Sequence, residues 1–433
     1  MNDVCFYQAW RACDQQNIDS VMEFVRSSAG ILLAAIVSSL AKQAHQQEIA
    51  EQVLADSYCL FALNTARFAK LDEKALQTIF FEILARRLSL SQQTLAKHAA
   101  ASQPGEESDS IILQKMPNPQ GIAPSRVSAL SLLEGVRGAD KIEYSKTWMS
   151  QLELRLRYYL DLAPNGYAGS GEAIYPGTFD SRYKWQVRLN RVKMKIILAL
   201  RQSLVSPLVS GWLKLVSLTK IGRRWLIGKG LPRLWATQNF AEDLTLSIDP
   251  LKITKMAALK RPVRKQLKQR FLWDGDWDEQ VEPFVENDRY VFISDIWQHR
   301  DCPQASEFYT QYMAKVASNK AFVDHFAGIA LTSSERIFAY IQHYLFYMYN
   351  MACFGFEGEY GKDSVWVALD RNSSLVKVKH GLHRTAMAQV LGLKRMTVKV
   401  RGVHHLHWQN VTLEGLDDLE AFERFMYQLK CLD

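Results

Sequence analysis

The sequence predicts an α+β protein, with an N-terminal helical region followed by a C-terminal domain built on a mixed β-sheet. Three observations carry that expectation. Apolar residues recur at spacings of three and four from Ile18 to Leu88, β-branched and period-two runs follow Asp243, and a strand, tight turn, helix and strand succeed one another between Leu375 and Val400. The chain of 433 residues is 48% hydrophobic and 23% charged, enough apolar material for two or three cores. A disordered tail and a small stapled domain are both excluded.

Taken in order, residues 1–100 read as a helical bundle, with helices expected at Ile18–Lys42, Gln46–Phe68 and Asp72–Leu88 and a short helical continuation at Ser89–Ala100. Phe68, Phe80 and Phe81 read as its packing residues. Residues 101–180 hold a Ser, Pro, Gly and acid-rich linker, ASQPGEESDSIILQKMPNPQGIAP, then helical pattern at Ser128–Arg137 and Tyr144–Leu160, then the break DLAPNGYAGSGEAIYPGTFD. A basic amphipathic segment, 181–245, begins directly after that break.

The net charge of +8 is unevenly placed. Between Asp180 and Glu242 stand 13 basic residues and no acidic one, and between Asp249 and Asp274 eight more with none, leaving 32 basic against 45 acidic residues elsewhere. In the first window Tyr183, Trp185, Trp212, Trp225 and Trp235 interleave with Lys184, Arg188, Arg191, Lys193, Lys195, Arg223, Arg224 and Arg233. Such a mixture can coat an anionic membrane surface, follow a nucleic-acid backbone, or present a solvated basic face to the acidic remainder of the chain. The many branched apolar residues between the charges suit lipid better than bases. From Ile196 to Gly228 the charges interrupt every apolar run, and the longest uncharged piece, Gln202–Leu213, falls short of the roughly 20 residues a spanning helix needs.

Six cysteines are scattered without a CxxC pair, and the N-terminus lacks the basic start and apolar core of a secretory signal. The expectation is free thiols in a reducing compartment: a cytoplasmic protein, peripheral on the inner membrane.

Residues 246–433 read as the sheet domain. LTLSIDPLKITKM is a strand and a turn at Asp249-Pro250, VWVALD, LVKVKH and RMTVKVRG are strands, Thr332 and Glu335 are spaced to cap a helix reaching about Met351, and Leu416–Leu429 is a closing helix. Within VWVALDRNSSLVKVKHGLHRTAMAQVLGLKRMTVKVRGVHHLHW, the strand Leu375–Lys379 leads through His380-Gly381-Leu382-His383-Arg384 into a helix that Gly392 stops. Free helix-terminal amides beneath a glycine turn, with His383, the Arg384 fork and the Thr385 hydroxyl around them, make a physically sufficient phosphate site.

The segment resembles the DG-x-HR box of the ParB/sulfiredoxin fold superfamily, whose members include partition proteins, sulfiredoxins and a free-serine kinase. Gly381, His383 and Arg384 match the box, and the following helix, Gly392 and strand match its setting. His380 stands where many members carry an acid, and Leu382 replaces the nucleophilic cysteine of sulfiredoxins, which argues against sulfinic-acid reduction. WDGDWDE, at Trp273–Glu279, and VRGVHHLHW resemble elements of uncharacterised bacterial members associated with cell-envelope polysaccharide loci. The resemblance implies nucleotide binding through Gly381, His383, Arg384 and Thr385.

Asp276 and Asp278 are candidates to bind Mg²⁺ or to orient and deprotonate a hydroxyl; the other reading has Trp273 and Trp277 anchoring a loop whose acids pair with Lys268 and Arg270. The two indoles also suggest a sugar platform. His404, His405 and His407 are weak metal candidates, because no acid partner is evident for them. The expected function is therefore an ATP-dependent, Mg²⁺-requiring kinase that phosphorylates a hydroxyl of a glycan or lipid-linked sugar at the cytoplasmic membrane face, with Asp276, Asp278, His383 and Arg384 as its catalytic residues. A nucleotide-dependent nucleic-acid-binding or assembly module and a non-catalytic scaffold stay open beside it. No helix-turn-helix signature follows the box, which counts against close equivalence to a partition protein.

Overall fold

The computed structural model describes residues 18–40, 46–64, 79–91, 142–162, 177–200, 203, 206–259, 267, 269–325, 327–356, 364–412, 424, 425 and 427. The architecture is mixed α+β, a central sheet flanked by helical segments that lie before, between and after its strands. The chain divides into two compact units. Unit 1 comprises Met1–Ser181 and Asp295–Phe354; unit 2 comprises Arg182–Ser294 and Gly355–Asp433. Asp295–Phe354, expected from sequence within the span 246–433, thus falls in unit 1. Ser89–Ala100, Ser128–Arg137 and Leu416–Leu429 lie wholly or largely outside the described residues.

Unit 1 is mainly helical. α1 (Ile18–Ser39), α2 (Gln46–Leu63) and α3 (Lys146–Leu162) pack together, because Val21, Val25, Leu32 and Ile36 form one apolar stripe on α1 and are fully buried. Val21–Ser39 is by length and composition able to span a membrane, but 61% of it is buried inside the fold, as in a core helix. Tyr58 meets Phe24 and Phe80, and Tyr159 stacks on Phe346 with ring centroids 3.9 Å apart. Phe80 and Phe81 are buried, as a packing role requires.

The second part of unit 1 holds α9 (Glu307–Ala317), a two-stranded antiparallel sheet of β5 (Phe322–Asp324) and β6 (Ile329–Leu331), and α10 (Ser334–Phe354). α10 is capped one residue later than expected. The Ser333 hydroxyl accepts from the Arg336 amide at 3.4 Å, while the Thr332 hydroxyl accepts from the Arg336 guanidinium instead.

Unit 2 opens with four helices that carry the basic segment: α4 (Lys184–Leu200), α5 (Ser206–Ser217), α6 (Lys220–Gly228) and α7 (Arg233–Asn239). Its sheet contains β1 (Thr245–Ile248), β2 (Lys255–Ala257), β3 (Leu272–Trp273), β4 (Val281–Pro283), β7 (Trp366–Leu369), β8 (Leu375–Lys377) and β9 (Met396–His404), in the order β1-β9-β7-β8-β2-β4 with β3 also on β9. β9 is the hub. It pairs antiparallel with β1 at its start and parallel with β3 at its end, and its other edge takes β7 in parallel. Helix α8 (Asp288–Gln298) contains the unit boundary, α11 (Leu382–Val390) follows β8, and α12 (His405–Thr412) follows β9.

Two features of β9 position side chains. The β7 register jumps from Val367↔Val400 to Ala368↔Gly402, so Arg401 is the extra residue of a bulge and turns its guanidinium over Trp366, 5.1 Å from the ring. Gly402 is bare because the Trp273 indole lies on it: a Cβ there would fall 2.2 Å from the ring.

Candidate functional site

The box predicted from sequence forms at the end of β8. Gly381 caps α11 in the left-handed conformation, φ +77°, and a Cβ on it would stand 2.8 Å from Val365 Cα, so both its φ and its close packing demand glycine. No side chain caps the helix. The amides of its first turn lack intrahelical acceptors and point out of the end of the helix, where the dipole favours an anion. Gln389, at the far end of α11, donates to Pro250 O and Ile253 O, which fixes the helix against the turn after β1.

Around this end the structure gathers positive charge. His383 lies edge-on to Phe292, and burial together with Arg289 pushes its pKa down to about 4, so the ring is neutral near pH 7. Arg384 reaches over Phe356 at 5.4 Å. Thr385 is fully buried and spends its hydroxyl proton on Gly381 O at 2.9 Å, so it steadies the turn from within the helix. Trp366 lies against His380 with centroids 4.0 Å apart and the rings inclined at 47°, and meets both Arg401 and Arg233. Burial, then the neighbouring Arg233, pull the Arg401 pKa down to about 9.

Lys377 was not among the residues expected from sequence. It is fully buried, and its Nζ donates to the carbonyls of Trp366, at 2.9 Å, and of Val378 and His380. Burial, and then Arg384, draw its pKa well below the ordinary lysine value. Three carbonyl acceptors call for three N–H donors, which only the ammonium supplies, so the geometry opposes that loss of the proton. The sequence pattern points away from a buried lysine: in VKVK a period of two sets Lys377 on the face opposite Val376 and Val378, and it is enclosed because both faces of β8 are buried.

The acidic element stands elsewhere. Arg371, at the tip of the β7–β8 hairpin, binds Asp278 through its backbone amide and guanidinium at 2.8–3.1 Å, Asp276 at 3.1 Å and Glu279 at 2.8 Å. Burial of Asp278 favours its neutral acid, but the Arg371 hydrogen bonds, with His404 behind them, outweigh that and hold the carboxyl below its ordinary value. His404 accepts from the Leu406 amide on Nδ1, which leaves its Nε2 proton for Gly275 O. Trp273 and Trp277 are buried in the core formed with Ala368, Val376 and Val378, so they anchor the loop and offer no face to a sugar. The loop is anchored as one reading expected; its acids pair with Arg371, and Lys268 lies outside the described residues.

Gly381, His383, Arg384 and Thr385 are therefore brought together, and Asp276 and Asp278 are not brought to them. Trp366 N donates to His380 O at one end of β7, and Arg371 lies beyond its other end, five residues or roughly 16 Å of strand away. Among the described residues no group of three or more His, Cys, Asp or Glu side chains is placed to hold a metal ion. As arranged, the Arg371 guanidinium takes the position a divalent cation would take between the carboxylates, so Asp276 and Asp278 do not fit Mg²⁺.

Unit 1 carries a second polar centre that was missed. Asp56 accepts from Arg87 Nε at 2.9 Å, Arg155 Nη2 at 2.6 Å and Gln52 at 2.9 Å; Arg87 donates to Ser91, which donates to Asp301. Gln52, Asp56, Arg87 and Asp301 border a cavity of about 480 Å³ that Gln342, Arg300 and Tyr349 also line. Burial of Cys59 and Cys353 pushes their thiols up to about 12 and about 11, and both are free.

Comparison with protein-family models, with curated proteins and with solved structures finds no match to this chain.

Proposed function

We propose that unit 2 is a nucleoside-phosphate-binding domain of the ParB/sulfiredoxin kind, and that the chain is an ATP-dependent phosphotransferase acting on a hydroxyl of a cell-envelope glycan or glycolipid precursor. One observation carries the binding half: α11 begins at a left-handed Gly381 with no side-chain cap, His383 and Arg384 stand in its first turn, and Lys377 is bonded to His380 O directly before it. Helix-end amides and guanidinium groups recognise phosphate oxygens by dipole and by forked hydrogen bonds. The half-buried Trp366 ring, flanked by cations, is a surface on which a base could stack. Mg²⁺ would come with the phosphates, which suits an ion that keeps its water and uses few protein ligands.

The transfer half rests on resemblance and on the acidic loop. Of its two aspartates Asp276 is the exposed one, bonded to Arg371 through one oxygen, and Asp278 is spent on positioning the hairpin. A second reading, a nucleotide-binding scaffold without catalysis, is favoured by that same Arg371, since it already occupies all three carboxylates.

Calorimetric titration of the full chain with ATP and Mg²⁺ tests the binding half: Arg384→Ala is expected to weaken binding at least about ten-fold, the loss of one charge-assisted contact. No binding by the intact, folded protein sinks both readings. Transfer is checked by phosphate incorporation into lipid-linked sugars; binding without incorporation leaves the scaffold, and an Asp276→Asn protein as active as the parent removes Asp276 from the chemistry.

A further inference from the structure

Helices α4, α5 and α6 invert the usual arrangement of an amphipathic helix. On α4 the residues Trp185, Leu189, Val192, Ile196 and Leu200 recur at spacings of four, three, four and four, the stripe that a soluble helix turns inward, and all five are exposed. On α5 and α6 the pattern repeats. Leu213 and Leu226 are buried and fasten the pair to the unit, while Leu208, Leu215, Leu218 and Ile221 stand out of it, Ile221 with 82% of its surface in solvent. Trp212 and Trp225 meet edge-to-face at 5.9 Å and tie α5 to α6. An exposed apolar surface of this extent marks an interaction site.

The charges state what kind of surface it fits. All 13 ionised side chains between Asp180 and Glu242 are basic, and Arg188, Lys193, Lys214 and Arg224 are exposed beside the apolar residues. Branched aliphatic side chains neither stack on bases nor hydrogen-bond to them, so they bring nothing to a nucleic-acid strand. Placed in a bilayer interface, they bury in the acyl boundary, with indoles at headgroup level and basic side chains at the phosphates.

We propose that α4 to α6 form a docking surface for an anionic phospholipid bilayer, which the chain occupies from one side without crossing it. Leu189, Leu215, Leu218 and Ile221 enter the lipid, and the basic residues select anionic headgroups. The proposal stands on the belt alone and is independent of nucleotide binding at α11.

Flotation of the full chain with vesicles tests it, using phosphatidylcholine alone and phosphatidylcholine mixed with phosphatidylglycerol. The protein is expected to float with the mixed vesicles, and Leu215→Glu with Ile221→Glu to lower the bound fraction at least about ten-fold, because two lipid-facing side chains become anionic. Lys214→Gln with Arg224→Gln is expected to lower binding to mixed vesicles by about five-fold per charge and to leave binding to neutral vesicles unchanged. All four positions are exposed, and unchanged circular dichroism melts separate loss of docking from loss of fold. Three results overturn the proposal: no flotation with either vesicle; double-glutamate protein that floats like the parent, as it would if Val21–Ser39 were the anchor; or duplex DNA that abolishes flotation and is bound equally by parent and double-glutamate protein.

Discussion

Arg87 in unit 1 and Lys377 in unit 2 are both cations sealed from solvent, yet they are held by opposite means. Arg87 bonds to the carboxylate of Asp56, has Asp301 at 3.8 Å and lies 3.9 Å over the Tyr349 ring. Burial by itself would lower the Arg87 pKa, but Tyr349 and the two aspartates outweigh it and raise it. Lys377 meets only backbone carbonyls, and the charged group nearest to it in effect, Arg384, is of its own sign. A buried cation closed by acids is finished structure; one held by carbonyls beside another cation leaves the local field positive and receptive to an anion.

The comparison is broken or sharpened first by removing the partners. Asp56→Ala strands Arg87 and Arg155 and is expected to cost about 3–5 kcal/mol, read as faster amide exchange throughout unit 1. Lys377→Met removes a charge that no acid balances, and two of its three carbonyls keep backbone donors, so its cost is expected below about 1.5 kcal/mol. Equal costs for the two variants would show that Lys377 is as completed a structural element as Arg87.

Acid comes next. His383 is neutral in the fold with a pKa of about 4, whereas in the unfolded chain it titrates near 6.5. The unfolded state therefore binds the extra proton between those values. Unit 2 keeps its full His383 contribution above about pH 6.5, loses it as pH falls toward 4, and the total is on the order of 3 kcal/mol. A His383→Gln protein is expected to show a flatter dependence in urea melts across this range; an unchanged slope would place the titration elsewhere. A bound phosphate should oppose the fall, because it favours the protonated ring.

The smallest effect is at the acidic loop. Arg371→Ala removes the guanidinium but keeps the backbone amide, so burial of Asp278 is opposed by that amide and by His404, and the carboxyl pKa is expected to rise part of the way from its depressed position, followed by carboxyl-carbon NMR. A carboxyl that stays low would mean that His404 and the loop amides suffice without the guanidinium.

Much of unit 2 is legible in the sequence, for local reasons. Val365–Leu369 is a continuous apolar run closed by Asp370, Leu375–Lys379 alternates valine with lysine, Gly381 is followed at once by helix-forming residues, and Gly392 ends them with φ +61°, so β7, β8, α11 and β9 follow from short-range preferences. The placement of Asp278 does not follow, because its partner Arg371 is 93 residues away and only the sheet brings them together. The same holds for Asp56 and Arg87, whose charges look like surface residues until helix packing encloses them. Capping of α10 shows the limit at single-residue scale: Thr332 and Ser333 offer the same hydroxyl, and the Arg336 guanidinium decides between them by taking Thr332.

The interleaving of the two units has a consequence for how the chain can be made and cut. The polypeptide leaves unit 1 after Ser181, returns at Asp295 and leaves again after Phe354. On a ribosome, unit 1 must wait for 113 residues of its neighbour to be synthesised before α10, with Gln342 and Tyr349, can line its cavity. No single scission yields both units whole: a cut after Ser181 deprives unit 1 of that wall, and a cut after Phe354 deprives unit 2 of β7, β8, α11 and β9.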